Sequence, residues 1–199
     1  MKKIILSAIA VCAFGFANAQ DTTTESAGGK GFANGDIFVT GAVSIGSEKE
    51  GDIKTTSFEI NPRVGFFVSD NIAIGGQIGY SSDKTDDDGT TTDEASTLSI
   101  GAFGRYYFTP ASDFSLFGQL GLNYNTTDHG DADYKTNGFD AGLGLGLSYF
   151  VSDNFAIEAT FGALGFTSEK DDTDGAENQT SFDLGLDMRS IGLGLTYKF

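Results

Sequence analysis

The sequence predicts an all-β protein, and more narrowly an eight-stranded antiparallel up-and-down β-barrel that crosses a membrane with its strands. The first observation is that apolar residues alternate with small or polar residues in eight successive segments of the 199-residue chain, because only a strand separates its two faces with a period of two. The second is that the face opposite the apolar one carries mainly Gly, Ala, Ser, Thr, Asn and Gln. The third is that short connections between segments alternate with polar, mostly longer ones.

The composition excludes several other classes of protein. Glycine occupies 28 positions and proline only two, which fits neither collagen nor a proline-rich disordered chain. The 18 Phe and 7 Tyr residues are too many for a disordered chain. The formal net charge of −16 excludes a nucleic-acid-binding protein, because such a chain repels phosphates.

Residues 1–19 have the features of a signal peptide. Lys2 and Lys3 precede an apolar stretch, and Ala17-Asn18-Ala19 supplies the small residues of a cleavage site. The apolar stretch is also shorter than the ~20 residues that a transmembrane helix needs. We therefore expect cleavage before Gln20.

The expected mature chain has two parts. Residues 20–35 are polar and are predicted to form a flexible lead-in, and residues 36–199 are predicted to form the barrel. Loss of the two leader lysines would leave 10 basic and 28 acidic residues, a net charge of −18. The single cysteine, Cys12, lies in the leader, so the mature chain would have neither a disulfide nor a thiolate metal site.

The first four predicted strands begin at Ile37, Ser57, Ile72 and Thr97. Their apolar faces are, in order, Ile37, Val39, Val43 and Ile45; Phe58, Ile60, Val64, Phe66 and Val68; Ile72, Ile74, Ile78 and Tyr80; and Leu98, Ile100, Tyr106 and Phe108. In each strand the residues between these positions are small or polar, with Phe38 on the first strand, Phe67 on the second, and Phe103 and Tyr107 on the fourth as exceptions.

The next four strands follow the same rule. Their apolar faces are Phe114, Leu116, Leu120, Leu122 and Tyr124; Phe139, Leu143, Leu145, Leu147 and Tyr149; Phe155, Ile157, Phe161 and Ala163; and Leu193, Leu195, Tyr197 and Phe199. The last strand has an upstream half with the apolar residues Phe182, Leu184, Leu186 and Met188 on even positions. The phase therefore slips between Met188 and Ile191, which predicts a β-bulge.

The connections alternate in length. Three short ones follow Phe67, Phe108 and Phe150 and recur every 41 or 42 residues, the period of a repeated hairpin. The other four are polar and span Ser47 to Lys54, Ser82 to Ala95, Asn125 to Asn137 and Ser168 to Thr180. We expect these acidic connections to be mobile loops, since they offer few apolar residues for packing.

A membrane barrel and a secreted β-sandwich both fit this periodicity. In a sandwich the second face meets bulk water and carries many Lys and Glu residues, whereas here it carries small residues and single charges. Small polar side chains suit the lumen of an eight-stranded barrel, and ~9–11 residues let a tilted strand cross the hydrocarbon. Aromatic residues near both ends of the apolar faces are typical of interfacial girdles. These observations favour the membrane barrel.

The chain resembles the small eight-stranded outer-membrane β-barrel proteins of the OmpX and OmpA-barrel kind. The resemblance covers the whole mature chain, and its most specific feature is the closing pattern Leu193-x-Leu195-x-Tyr197-x-Phe199. It implies a cell outer membrane location in a Gram-negative bacterium, short turns in the periplasm and long loops outside the cell. It also implies that Tyr197 and Phe199 form the signal read by the barrel-assembly machinery. The implied partners are outer-membrane lipid and lipopolysaccharide, and the implied state is a monomer.

The small-residue face carries a candidate polar network. The predicted members are Glu59, Arg63, Gln77, Arg105, Gln119 and Glu158. All except Glu59 lie about three to five residues from a short turn, which at ~3.3 Å per residue places them in one layer. Unpaired charges inside a narrow lumen cost several kcal/mol, so we predict a polar plug, with a selectivity constriction as the alternative.

The acidic connections contain two near-matches to a calcium loop. Residues 84–89 and 170–175 have Asp at positions 3 and 5 (Asp86, Asp88, Asp172 and Asp174) and Gly at position 6, but Lys at position 1 and no Glu at position 12. An EF-hand loop needs both of the missing carboxylates. We therefore predict loose divalent-cation binding and no dedicated metal site.

The sequence contains no motif for a cofactor or an enzyme. His129 is the only histidine, and its predicted role is that of an exposed loop residue; binding of a metal with Asp131 and Asp133 has no supporting pattern. We therefore predict a non-enzymatic protein without a cofactor, with a structural or cell-surface interaction role and an unidentified extracellular ligand if any. The alternatives are a narrow passive pore for ions or small solutes and a lipid-modifying enzyme, since one barrel fold hosts several activities.

Overall fold

A computed structural model describes residues 29–130, 134–173, 175–184 and 192–199. The predicted signal peptide, the first part of the lead-in, Asp174 and the predicted bulge between Met188 and Ile191 lie outside these residues. Within the described ranges, no helix is long and apolar enough to cross a membrane.

The described residues form strands joined by short connections. The strands are β1 (Ile37–Glu50), β2 (Ile53–Phe67), β3 (Ile72–Asp87), β4 (Thr90–Tyr107), β5 (Phe114–His129), β6 (Lys135–Phe150), β7 (Phe155–Asp171), β8 (Gln179–Leu184) and β9 (Gly192–Lys198). The eighth predicted segment corresponds to β8 and β9, which pair with different parts of β7.

Every neighbouring pair of strands is antiparallel, and the sheet closes on itself. Strands β1 to β7 pair in chain order. Closure is made by β9, which pairs with β7 on one side and with β1 on the other, from Phe38↔Lys198 to Gly41↔Leu195. The predicted closed eight-stranded barrel is confirmed.

The two faces of the strands divide as the alternation predicts. The large apolar residues of the outward face are exposed, for example Ile45 at 77% and Ile100 at 63%. Side chains of the opposite face fill the lumen, where Phe38, Phe67 and Tyr107 are fully buried. A protein with this arrangement needs an apolar medium around it, because its outer surface is a continuous band of aliphatic and aromatic side chains.

Strand β7 contains a bulge that the sequence analysis did not place. Leu164 pairs with Leu143 but Gly162 pairs with Gly144, so Ala163 has no partner on β6. The extra residue shifts the outward phase from Phe161 to Leu164, as expected for a β-bulge. The assignment of Ala163 to the regular apolar face was therefore wrong.

Two of the expected mobile loops are β-hairpins. Strands β1 and β2 remain paired to Glu50↔Ile53, and β3 and β4 remain paired to Asp87↔Thr90, with one irregularity at Thr85/Asp86. The connecting residues have the positive φ that tight hairpins require: 64° at Gly51, 47° at Asp88 and 78° at Gly89. The barrel wall therefore extends beyond the predicted membrane span at this end.

Candidate functional site

A buried ion pair crosses the lumen near the end that carries the short turns, at residues 68–71, 108–113 and 151–154. Arg105 on β4 donates from Nη1 to both carboxylate oxygens of Glu158 on β7, at 3.0 and 3.1 Å. Thr40 donates to the same carboxylate at 3.2 Å, while Arg105 Nε donates to Gln119 at 2.7 Å. Both charged side chains are almost completely buried. This pair spans the lumen from β4 to β7.

Aromatic rings surround the guanidinium of Arg105. The Cζ atom lies 4.4 Å from the ring centroid of Phe117, 5.3 Å from that of Phe103 and 5.6 Å from that of Phe38. Contacts of this length are favourable cation–π interactions, stronger where water is excluded. The hydroxyl of Tyr107 accepts a further hydrogen bond from Arg105 at 3.0 Å.

Each of these three rings packs over a glycine on the neighbouring strand. Phe38 pairs with Gly65, Phe103 with Gly75 and Phe117 with Gly146. A Cβ atom added at any of the three glycines would collide with the partner ring. The glycines therefore make room for these three rings inside the lumen.

Residues of the lead-in close the same end of the barrel. Phe32 is 2% exposed, and its ring centroid lies 4.8 Å from those of Phe67 and Phe150 and 5.2 Å from that of Tyr107. Its amide donates to the carbonyl of Pro110 at 2.7 Å. The expected flexible lead-in thus includes, at residues 29–35, a segment packed into the short-turn mouth.

Lys198 on β9 holds this segment from the other side. Its Nζ atom donates to the carbonyl oxygens of Gly29 and Gly31, at 2.9 and 2.7 Å, and lies 5.4 Å from the ring centroid of Phe150. Gly31 has a φ of 98° and faces the backbone of Ala111 so closely that a Cβ would collide. We call residues 29–35 the N-terminal plug.

A second polar chain lies nearer the opposite end. Gln77 donates to Asn123, which donates to Asp140 at 2.7 Å, and Asn125 donates to the other Asp140 oxygen at 3.2 Å. Strands β3, β5 and β6 supply these residues. Of the six predicted network residues, Arg105, Gln119 and Glu158 are thus in direct contact, and Gln77 belongs to this separate chain.

Arg63 and Glu59 make no hydrogen bond or ion pair with any other described residue. Arg63 lies within electrostatic reach of Arg105, Glu158 and Glu59, and a cavity of about 30 Å³ is lined by Arg63, Glu158 and neighbouring residues. The Nε atom of Arg63 is shielded from solvent and has no hydrogen-bond acceptor among the described residues. The side-chain oxygens of Asn61 and Gln77 are also shielded from solvent, and they have no hydrogen-bond donor there. These groups form an unsatisfied cluster on β2 and β3.

A cavity of about 920 Å³ lies above the ion pair, towards the end with the acidic connections. One wall carries Glu59, Asn61, Arg63 and Gln77, and Asp140 lies across from them. The facing strands contribute several glycines (Gly121, Gly142, Gly144, Gly162 and Gly165) together with larger side chains such as Phe117, Gln119 and Phe161. We call this cavity the cup.

Of the predicted cation-binding aspartates, Asp86, Asp88 and Asp172 lie within the described residues and make separate contacts. Asp86 is held by Lys84 at 3.0 Å and accepts a hydrogen bond from Thr91 at 2.9 Å, and these two partners lower the pKa of its carboxyl. Asp88 lies in the β3–β4 turn, and Asp172 accepts from the Lys135 amide on another hairpin at 2.8 Å. Across the described ranges, no group of three or more His, Cys, Asp or Glu residues could hold a metal ion.

His129 is part of a hydrogen-bonded chain at the rim. Its Nε2 lies 3.1 Å from Thr136 Oγ1, which donates to Asp171 at 2.6 Å, and its ring stacks on Tyr134. Thr136 therefore links His129 to Asp171. Sequence reasoning missed this chain because its three members come from β5, β6 and β7. It also missed the plug, because a lone Phe between glycines has no periodicity.

Comparisons with known proteins agree with the fold. A model of the outer membrane protein beta-barrel domain family matches residues 5–199. The outer membrane protein OprG from Pseudomonas aeruginosa is similar with a TM-score of 0.52 and 16% identity, over 85% of this chain and 98% of that chain. Neisserial surface protein A is similar with a TM-score of 0.50 and 17% identity, over 82% and 97%. No curated protein sequence matches significantly.

Proposed function

Since this chain belongs to the outer membrane protein beta-barrel domain family, and is thus a protein of the Gram-negative outer membrane, we propose that it is a non-enzymatic barrel with a closed lumen. Its role is structural or lies in interactions at the cell surface, through the acidic hairpins. The short turns and the N-terminal plug face the periplasm.

The observation that carries this proposal is the double closure of the periplasmic half. The Arg105–Glu158 pair and its three rings form one barrier, and Phe32 with the aromatic residues around it forms a second one. A water path would have to pass both.

The acidic surface supports an interaction role. Asp86 lies in the paired part of β3, Asp88 lies in the β3–β4 turn, and Asp172 follows β7 and accepts a hydrogen bond from the Lys135 amide. A rigid array of like charges selects partners by electrostatic complementarity. Loose binding of divalent cations at these residues stays part of the proposal.

A non-enzymatic role is supported by the rim histidine. A nucleophile needs its proton to point at a base, and Thr136 directs its proton to Asp171. No other histidine occurs in the sequence.

The proposal includes the steps of export. The leader at residues 1–19 is removed before Gln20, the barrel-assembly machinery reads Tyr197 and Phe199, and the product is a monomer in contact with lipid and lipopolysaccharide.

The test is conductance in planar bilayers. We expect negligible steady current from the purified full-length protein. A matched variant that lacks residues 29–35 should also stay closed, because the ion-pair layer is still present. A steady current from the unaltered protein, with ion selectivity that changes in Glu158→Gln, would support the narrow-pore alternative and contradict the proposal.

A further inference from the structure

The lysines near the acidic connections lie on the outward phase of their strands. Each described lysine at this end of a strand is four residues beyond the last large apolar side chain of the outward phase; the pairs are Ile45 and Lys49, Phe58 and Lys54, Tyr80 and Lys84, Phe139 and Lys135, and Phe166 and Lys170. The same phase also carries Asp86, Glu94 and Asp128. The inward phase of these described segments carries acidic residues and no lysine: Glu48, Glu50, Asp83, Asp87, Asp93, Glu169 and Asp171. The two faces therefore differ in the sign of their charge.

A row of small polar side chains separates the lysines from the apolar band. Its outward members are Ser47, Thr56, Ser82, Ser96, Thr126, Asn137, Ser168 and Thr180. Four residues span ~13 Å along a strand, or ~10 Å along the membrane normal at a tilt of ~40°. The headgroup layer extends ~5–8 Å beyond the hydrocarbon, and the flexible stem of a lysine lets its ammonium group reach into that layer. The lysines therefore lie at the level of lipid headgroups.

Three of the lysines form a continuous surface on β1, β2 and β3. The register places Lys49 directly opposite Lys54, and it places Lys84 opposite Thr56, diagonal to Lys54. Side chains in direct opposition have Cβ atoms ~5 Å apart, and diagonal neighbours are ~7–8 Å apart. The strands on both sides of Lys54 are described along their whole length. We call Lys49, Lys54 and Lys84 the lysine patch.

The lysine patch carries more positive than negative charge. On the outward phase of these three fully described strands, the carboxylate is that of Asp86, which pairs with Lys84 at 3.0 Å and lies opposite Lys54. All three lysines are exposed. Like charges directly opposite each other destabilise a strand pair, so an anion held between Lys49 and Lys54 would be stabilising. The patch is thus a local cationic surface on a chain with a net charge of −16.

We propose that the lysine patch binds the phosphate groups of lipid A, the phosphorylated lipid anchor of lipopolysaccharide, in the leaflet that surrounds this end of the barrel. The ammonium groups pair with the phosphates, and the hydroxyl groups of Ser47 and Thr56 donate hydrogen bonds to them. Below this level, Ile45 and Phe58 contact the acyl chains. Continuity between the patch and the apolar band favours a lipid over a soluble anion, because the band holds the lipid at the depth of the lysines.

This inference rests on the proposed function, which orients the acidic connections towards the cell exterior, and it names the residues that contact lipopolysaccharide. The two proposals fail separately, since lipid binding is measured without a membrane orientation and conductance is measured without lipopolysaccharide. A steady current with normal lipid A binding would contradict the closed lumen alone. Negligible current without lipid A binding would contradict the lysine patch alone.

The test is binding of lipid A to the full-length protein in an uncharged detergent, measured by native mass spectrometry, which counts the lipids bound to each protein. Diphosphorylated lipid A is compared with the same lipid after removal of both phosphates, and inorganic phosphate is added as a competitor. We expect the phosphorylated lipid to bind at least about tenfold tighter, and we expect millimolar phosphate not to displace it. Equal affinity for the two lipids, or displacement by phosphate alone, would overturn the inference.

Variants locate the site. Lys54→Gln should weaken lipid A binding about fivefold, and the triple change of Lys49, Lys54 and Lys84 to Gln about 100-fold, because each basic residue near an anionic membrane surface contributes about fivefold in affinity. Lys54→Arg keeps the charge and should bind normally. The matched control Lys30→Gln removes a charge at the short-turn end, where Lys30 pairs with Asp113, and it should leave the affinity unchanged.

The heat-dependent gel shift shows whether each variant is folded, so that loss of binding is read only from intact barrels. Unaltered affinity in the folded triple variant would overturn the inference. Equal weakening by Lys30→Gln and Lys54→Gln would overturn it as well, since the effect would then follow the net charge of the protein and not the lysine patch.

Discussion

Replacement of Glu158 by glutamine tests the charge balance of the lumen. The substitution keeps the size of the side chain, so it opens no cavity and changes mainly the charge. Arg105 would remain fully buried beside a neutral partner, since its side chain has no exposed surface. We expect the barrel to insert into the membrane but to unfold at a lower denaturant concentration.

The size of the effect follows from the contacts that remain. Removal of one partner of a buried ion pair costs about 3–5 kcal/mol. Gln119 and the Tyr107 hydroxyl still accept hydrogen bonds from Arg105, and the new amide oxygen can accept one more. The decrease in the free energy of unfolding should therefore lie at the lower limit of that range, about 3 kcal/mol. This corresponds to a change of about 150-fold in the unfolding equilibrium constant.

The assay is urea unfolding in lipid vesicles, followed by the heat-dependent gel shift and by tyrosine fluorescence. The tyrosine signal can be read directly because the sequence contains no tryptophan. Glu59→Gln is the matched control, because it removes the same charge from a lumen residue that contacts no partner in the described residues. It should change stability by less than about 0.5 kcal/mol. Equal stability of the two variants would refute the reasoning. A double change of Arg105 to Met and Glu158 to Leu should recover most of the loss.

Three further predictions concern the wall, the hairpins and assembly. Gly146→Ala should destabilise the barrel by about 1–3 kcal/mol because its Cβ meets the Phe117 ring, whereas Gly104→Ala meets nothing and should be neutral in the same urea series. A glutamyl protease added to intact cells should cut after Glu177 in the β7–β8 connection and spare Glu94, which is paired with β3; cleavage at Glu94 instead would contradict the hairpin. Deletion of Phe199 should reduce membrane insertion, measured by fractionation, and normal insertion would contradict its role as a signal.

The alternation of residue types was sufficient to predict the barrel and the inward position of its charges. Arg105 and Glu158 lie on inward phases of their strands and at similar distances from short turns, and their atoms are 3.0 Å apart. The sequence did not reveal the bulge at Ala163 because alanine is compatible with either face of a strand. Which charged side chains touch depends on the register between strands and on strand tilt. Neither property can be derived from the residue order within one strand.

The hairpins were missed for a different reason. Asp88-Gly89 is a signal for a tight turn between paired strands, but the acidic and threonine-rich residues around it suggested a solvated loop. Threonine has a high preference for strands. The strand preference and the turn signal therefore both favoured a hairpin, whereas the high density of charge favoured a solvated loop. The N-terminal plug had no such signal, since its contacts join segments that are far apart in the sequence.

The two hydrogen bonds from Lys198 to the N-terminal plug link the folding of the plug to the completion of strand β9. The hydrogen bonds to Gly29 and Gly31 join residues that are 169 and 167 positions apart, so the earliest described part of the chain receives this partner only after β9 has been synthesised. Until β9 is in place, residues 29–35 lack the two hydrogen bonds from Lys198, and we expect them to be more accessible to protease than in the closed barrel. Protection of this segment from a periplasmic protease would therefore mark the moment at which the barrel is complete.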